Sequence, residues 1–474
     1  MKKAMSNTGI YDARQLGTPK MLVLGFQHMF AMFGATVLVP LLTGLDISIA
    51  LLMAGLGTLL FHALTKFKVP AFLGSSFAFI GGYHAVAPLV GNGAMTNEQL
   101  LPYACLGVAA AGLVYLVLAA LIKGVGAKRV MKFFPPVVTG PIIIAIGLGL
   151  AGSAVTNCKA NWLVAIIALA LVIIFNIWGK GMAKIIPILI GVLGSCAIAA
   201  VLALAFGKTV VVDDVSYIAL GGNANLRLFA VSALDQLKDA AWIGFPIKWQ
   251  HTVFGGIDWS DSSLIISSIV AIVPISLATM MEHIGDISAI SSTVGKNYIA
   301  DPGLHRTLMG DGLATSMSAL FGGPANTTYG ENTGVLALSK VYDPRVIRIA
   351  AILAVILSFS PKFAALINVI PTAVIGGISF VLYGMISAIG VRNVVENQVD
   401  FTKSRNLIVA AIILVSALGL GAVEFAVGNV TISLSALAVA SIVGIVLNAL
   451  LPGKDYEFKT DDPKDAETGV SFEV

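Results

Sequence analysis

The sequence predicts an all-α polytopic membrane protein with fourteen transmembrane segments, arranged as two inverted seven-segment repeats. Three observations lead there. Of 474 residues, 57% are hydrophobic and only 11% charged, whereas soluble domains average roughly 25% charged. The mean hydropathy is +0.92. Apolar runs of about 20 residues, long enough to cross a bilayer, recur on both sides of one polar interval at 207–261. Such a composition excludes an ordinary water-soluble enzyme and a disordered chain. The formal charge is only +4 and its cations lie in short loops, so no nucleic-acid partner is expected. Cys105, Cys158 and Cys196 show no paired spacing, so no disulfide framework, zinc site or other cofactor is called for.

The polar stretch 1–19 reads as a tail rather than a signal peptide, because the apolar run after it is long enough to stay in the bilayer. The first repeat covers 20–206, with helices expected near 20–44, 46–66, 102–123, 136–156, 161–178 and 185–206. An extracytoplasmic loop at 207–261 follows. The second repeat covers 262–451, with helices near 262–285, 306–322, 345–359, 371–391, 406–423 and 430–451. The tail 452–474 mixes acids and lysines and reads as solvated. Two further stretches, 69–91 and 324–340, are apolar enough to enter the membrane but are interrupted by Pro, Gly, Ser and Thr. Counting both gives seven segments per half.

Lysine and arginine placement sets the orientation. With a cytoplasmic N-terminus, the inner loops carry Lys66 and Lys68, then Lys123, Lys128, Arg129 and Lys132, then Lys180 and Lys184. In the second half they carry Lys296 and Arg306, Lys340, Arg345 and Arg348, and Lys403 and Arg405. Outer loops are nearly bare. Both termini are therefore expected in the cytoplasm. Dropping either interrupted segment would invert the bias downstream of it.

Each interrupted segment is the third element of its half. Interruptions at matching positions of inverted halves point to a substrate site near the bilayer midplane. Non-helical backbone is tolerated there only where protein or a water-filled cavity satisfies it. Ordinary kinked helices or outer loops are the competing reading.

Ionisable groups inside spans are costly and mark function. Glu282 and Asp286, in Met281-Glu282-His283-Ile284-Gly285-Asp286, are four apart and share a helix face. Two carboxylates on one desolvated face resist a double negative charge, so one is expected to keep its proton. The alternative places them at a cytoplasmic helix end, with Asp286 solvated. Glu331 follows Gly330 at the start of a half-helix, where backbone amides point outward and favour an anionic group; a plain capping role competes. Phe77 and Tyr329 offer flat surfaces for a planar ligand, against ordinary packing. His28 and His62 lie inside early helices, either as helix–helix hydrogen-bonders or as ligand contacts, and Asp311 sits between glycines as a packing or interfacial residue.

The stretches Gln27–Pro40, Leu73–Ile80, Glu282–Gly285, Asp301–Arg306 and Asn326–Asn332 resemble the nucleobase–ascorbate transporter family, most closely its bacterial uracil-transporting members. The family signature reads here Glu331-Asn332-Thr333-Gly334, then Ser339-Lys340, with serine where threonine is usual. The resemblance implies a core domain and a gate domain, with short strands in segments 3 and 10 meeting in the membrane centre. It implies a homodimer in the cell membrane that imports uracil with protons by alternating access. The substrate-binding residues it implies are Phe77, Glu282, Gly330, Glu331 and Tyr383, to which Asp286 and Tyr329 are added by position. Glu282, Asp286 and His28 are the proton-coupling candidates. Asp286 stands where the best-known uracil member has histidine and purine relatives often have aspartate, so a purine, xanthine or urate permease is the alternative. Glutamate rather than glutamine at position 331 favours uracil. An anion exchanger could share the architecture, but carboxylates at the site would repel its substrate. An intramembrane enzyme lacks a metal or nucleophile constellation.

Overall fold

A backbone placed in hydrocarbon has to hydrogen-bond within its own segment, which makes helix the default for each apolar run. The structure, a computed structural model, describes residues 9–421, 423–427 and 430–453. In the first half the helices are α1 (Thr18–Thr43), α2 (Ile47–Leu64), α3 (Ile80–Val86), α4 (Asn97–Val125), α5 (Pro136–Cys158), α6 (Trp162–Ile177) and α7 (Pro187–Phe206), with strand β1 (Leu73–Ser75) between α2 and α3. The interval after α7 holds strands β2 (Gly207–Val212), β3 (Val215–Leu220) and β4 (Arg227–Ala230) and helix α8 (Val231–Asp239). The second half contains α9 (Ser262–Val294). After it come α10 (Leu304–Leu320), β5 (Asn326–Thr328), α11 (Gly330–Ser339), α12 (Pro344–Ser358), α13 (Pro361–Asn368), α14 (Thr372–Glu396), α15 (Ser404–Gly419), β6 (Val423–Val427), β7 (Val430–Leu434) and α16 (Ala436–Leu450).

Among the described residues, seven helices are long and apolar enough to cross a membrane, and α12 with α13 forms an eighth candidate bent by 89°. Helices α6, α15 and α16 are apolar but shorter. The chain is thus a multi-pass membrane protein. Its helices pack in two groups. Helix α10 lies against α4 and α2, and α12 against α2 and α1. Helix α14 lies against α5 and α6, and α15 against α16 and α5. Small residues let backbones approach at these crossings. A Cβ on Gly312 would stand 2.6 Å from the Gly112 carbonyl, and one on Gly390 2.7 Å from the Gly140 carbonyl. Helix α9 touches both groups and also reaches β5 and α11.

Several boundaries differ from expectation. The helix expected to end at 285 continues to Val294, bent by a 3-10 turn at Val273–Ile275 around Pro274. The Glu282–Asp286 cluster therefore lies well inside a helix and not at its end. Polar Ser288, Ser291 and Ser292 masked the continuation; Ser288 and Ser291 bond back to carbonyls four residues earlier, which lets serine persist in a helix. The helix expected from 102 starts at Asn97, because Thr96 and Gln99 form a reciprocal capping box that hydropathy does not register. The span expected at 430–451 begins at Ala436, after the β6–β7 hairpin. Helix α13 was not anticipated. The 207–261 loop is a three-stranded antiparallel sheet with short helices. Residues 9–17 of the expected tail are anchored: Ile10 bridges Val341, and Ala13–Leu16 forms a 3-10 turn. Residues 1–8 and 454–474 lie outside the described residues.

Candidate substrate site

The two interrupted segments become extended at Leu73–Ser75 and Asn326–Thr328 and pair antiparallel, Leu73 with Thr328, Gly74 with Thr327 and Ser75 with Asn326. The ladder continues through Ser76 N–H to the Ala325 carbonyl (2.8 Å) and Tyr329 N–H to the Phe72 carbonyl (3.0 Å). Two strands alone leave outer edges unpaired, and side chains from neighbouring helices supply the partners. The Thr58 hydroxyl accepts from Leu73 N–H (2.9 Å), Ser75 Oγ donates to the Thr36 carbonyl (3.0 Å), and Asn326 Nδ2 donates to the Met53 carbonyl (2.8 Å). Thr315 Oγ1 donates to the Asn326 carbonyl at 2.5 Å. A non-helical crossing thus survives inside a bundle because almost every main-chain group there has a fixed partner.

Gly74 is small by requirement, since a Cβ there would stand 2.5 Å from the Tyr329 ring and 2.7 Å from Thr36 Oγ1. Tyr329 is buried, its hydroxyl donating to the Ser75 carbonyl (3.0 Å) and receiving from Thr36 Oγ1 (3.2 Å). The ring expected to face a ligand therefore braces the strand crossing.

Helix α11 starts directly after β5, so the amides of its first turn have no carbonyls of an earlier turn to bond. Gly330 lies at this start; a Cβ on it would be 3.8 Å from Asp286 Oδ1 and 3.8 Å from Ile389 Cδ1 of α14. Asp286 is buried and accepts from Thr328 Oγ1 at 2.9 Å. The same hydroxyl stands 3.3 Å from His283 Nδ1, which in turn lies 3.4 Å from Asp311 Oδ2, with both side chains fully buried. Glu282 is half-buried, one turn before Asp286 on α9. Glu331 is the second residue of α11, and its side chain lies outside the described residues. Phe77, between β1 and α3, meets Tyr383 of α14 edge to face, with centroids 5.9 Å apart at 78°. The Tyr383 hydroxyl sits beside Ser379 and Ser153. A cavity of about 480 Å³ runs from Gly330, Gly334 and Ile389 past Ala31 and Ile188 to Lys184 and Arg392.

His28 is placed differently from a ligand-facing base. It is buried, and Asn332 Nδ2 stands 3.2 Å from its Nδ1 and donates to its carbonyl at 3.1 Å, tying α1 to α11. His62 Nε2 likewise bonds the Ala71 carbonyl at 2.8 Å. Thr328 and His283 lie inside the quoted motifs, but the sequence alone gives neither a place at the site, and Asp311 reads there as a packing or interfacial residue. A buried aspartate flanked by glycines could have flagged the pair, because an uncompensated charge at that depth is expensive.

A crossing of two broken segments, with acidic residues on the adjoining helix, is the architecture of a membrane transport protein. The sequence pattern of the Permease family matches residues 19–426. The uracil permease of Bacillus caldolyticus is 41% identical over 444 residues, covering 91% of this chain and 92% of the relative. That of Bacillus subtilis is 38% identical and covers 95% and 97%, and the putative pyrimidine permease RutG of Escherichia coli is 38% identical and covers 91% and 89%. Among solved structures, the transmembrane domain of the cyanobacterial bicarbonate transporter BicA shares the fold at TM-score 0.56 and 16% identity, covering 93% of this chain and 99% of that one. The murine Solute Carrier 26 family member A9 anion transporter, in its inward-facing state, does so at 0.60 and 11%, covering 95% and 73%. The chain belongs to this Permease family of nucleobase–ascorbate transporters.

Proposed function

We propose that the chain is a secondary active transporter that imports uracil by proton symport across the cell membrane. The observation that carries this reading is Gly330-Glu331 opening a half-helix beside Asp286, in a chain 41% identical to a uracil permease. Uracil is flat and presents two N–H donors and two carbonyl acceptors. Glu331, ionised, accepts from ring N–H groups, and Glu282 donates to a carbonyl when protonated. Backbone amides near Phe77 and at the start of α11 serve the other carbonyl. The Phe77 and Tyr383 rings supply flat walls. An unpaired polar group in such a site costs about 1–3 kcal/mol, so analogues lacking one group are rejected.

The neutral substrate carries no charge, and the proton provides the coupling. One charge moved through 100 mV is worth about 2.3 kcal/mol, whereas tenfold accumulation needs about 1.4 kcal/mol, so one proton suffices. Glu282 carries it, with Asp286 as its electrostatic partner and His28 holding α11 through Asn332. Fourteen segments in two inverted repeats are supported by packing that recurs between halves. The second span of the first half (α2) packs on the fourth of the second (α12), and the fourth of the first (α4) on the second of the second (α10). We assign the group built on α5, α6, α7, α14, α15 and α16 to a gate that rocks against the rest, with the cavity ending at Lys184 and Arg392 as the cytoplasmic path. Both termini are cytoplasmic, and two copies form the working dimer.

The test is labelled-uracil uptake into proteoliposomes with and without an inward proton gradient, competed by uracil, xanthine and urate. Gradient-driven uptake blocked by uracil alone is expected; blockage by xanthine or urate instead would move the assignment to a purine permease. Glu282→Gln is expected to abolish gradient-driven accumulation, and full accumulation by this variant would refute the carrier assignment.

A further inference from the structure

A second cavity, of about 790 Å³, lies away from the strand crossing, at the lysine- and arginine-rich end of the bundle. Four separate chain segments wall it: Tyr11–Arg14 before α1, Phe67 and Lys68 after α2, Gly295–Asp301 after α9, and Tyr342–Arg348 at the start of α12. Five cations line it (Arg14, Lys68, Lys296, Arg345 and Arg348) against three carboxylates (Asp12, Asp301 and Asp343).

The carboxylates are all engaged. Asp12 pairs with Arg14 (2.7 Å) and Arg345 (2.9 Å), Asp343 with Arg345 (3.2 Å), and Asp301 with Lys68. Asp343 also accepts from the Ala13 and Arg345 amides, at 2.7 and 3.0 Å. Lys296 and Arg348 make no ion pair among the described residues. Each lies instead on an aromatic face, Lys296 Nζ 4.5 Å from the Tyr11 centroid and the Arg348 guanidinium 4.9 Å from that of Phe67. The lining is thus two positive charges in excess, borne by two cations already oriented by rings.

We propose that this cavity binds a phosphate-bearing anion, held by Lys296 and Arg348 with the Tyr11 and Phe67 rings beside it. A phosphate carries close to two negative charges near neutral pH and takes up several charge-assisted hydrogen bonds, which matches the excess. The source is either a small soluble phosphate or a lipid headgroup at the same membrane face. The cavity wall is fastened to α11: Ile10 N–H donates to the Lys340 carbonyl and Tyr342 N–H to the Ile10 carbonyl, each at 2.8 Å, and Lys340 is the left-handed cap that ends α11. Occupancy therefore bears on the helix whose other end is Gly330. That coupling rests on reading α11 as the substrate helix; the binding itself does not.

The test measures binding of inorganic phosphate and uridine 5′-monophosphate to the full chain in nanodiscs of phosphatidylcholine, alone or with phosphatidylglycerol. Saturable binding of either probe is expected, weakened at least tenfold in Lys296→Gln/Arg348→Gln and retained in Arg348→Lys. A soluble phosphate as the source leaves this affinity unchanged by phosphatidylglycerol. A headgroup as the source lowers it several-fold by competition. Uracil binding, measured in parallel, shows that the variants are folded. No saturable binding in phosphatidylcholine discs, or binding that the double variant leaves intact, would overturn the site. Normal probe binding with no effect on uracil affinity would overturn only the coupling.

Discussion

Phe77 and Tyr383 meet edge to face, 5.9 Å between centroids, although one follows a short strand and the other sits mid-helix some 300 residues later. The pair spans the seam between the two helix groups, since Phe77 adjoins the strand crossing and α14 packs on α5 and α6. A contact of this geometry contributes about 0.5–1.5 kcal/mol beyond its buried area. Any relative movement of the groups must break or slide it.

Phe77→Ala removes both a wall of the proposed site and this contact. Uracil affinity is expected to fall at least tenfold, whereas Tyr383→Phe, which keeps the ring, should lose much less. Equilibrium binding of labelled uracil to the purified variants measures both; equal losses would show that the Tyr383 hydroxyl matters as much as the Phe77 ring.

The hydrogen bond from Thr328 to Asp286 joins the strand to α9. Thr328→Val keeps the shape and removes this donor, costing a buried carboxylate one hydrogen bond, about 1–3 kcal/mol. Uptake should fall roughly tenfold or more and its pH profile should shift. Thr328→Ser should restore both, because it returns the hydroxyl. A pH profile identical to that of the parent protein would deny Asp286 a part in coupling.

Gly74→Ala tests the crossing as structure. The added carbon would lie 2.5 Å from the Tyr329 ring, which is pinned through its hydroxyl and cannot retreat. Overpacking of this kind costs about 1–3 kcal/mol, and the thermal midpoint in detergent should drop by several degrees. Gly149→Ala, where a Cβ meets nothing within 4 Å, is the control expected to be silent.

The N-terminal fastening should depend on pH only in strong acid. Hydrogen bonds from the Arg14 side chain and amide, then the Arg14 and Arg345 charges, hold the exposed Asp12 carboxyl well below its usual range. A depressed folded-state value means that the stabilisation is complete above the unfolded value, about 3.9. It is lost as pH falls through the folded value. Amide protection over residues 9–17, the exchange rate taken relative to the unstructured chain at each pH, should therefore be unchanged from pH 7 to about pH 4. Asp12→Asn should lower this protection throughout that range. Release already at pH 5 would contradict the assignment.

Much of the site was readable in one dimension. Pro, Gly and Ser interrupting apolar runs at 69–91 and 324–340 announced broken segments, and both carry a strand. Glu282 and Asp286 stood out as carboxylates in an apolar run, and their four-residue spacing placed them on one helix face. The roles of Tyr329 and His28 were less legible, because an aromatic or imidazole in a span looks the same whether it faces a ligand or a neighbouring carbonyl. Their partners, Ser75 and Asn332, lie 254 and 304 residues away.

The chain by itself determined which stretches are apolar enough to enter a bilayer, in which loops the cations cluster and where the helices had to break. Those outcomes follow from local hydropathy, charge and backbone chemistry. Only the tertiary structure decided that Thr328 serves Asp286, that Tyr329 locks the strands, and that Phe77 touches Tyr383. Each of these depends on how helices far apart in the chain approach one another. That approach is set by the packing of small residues and by the demand that every buried main-chain group find a partner, neither of which is a property of a sequence window.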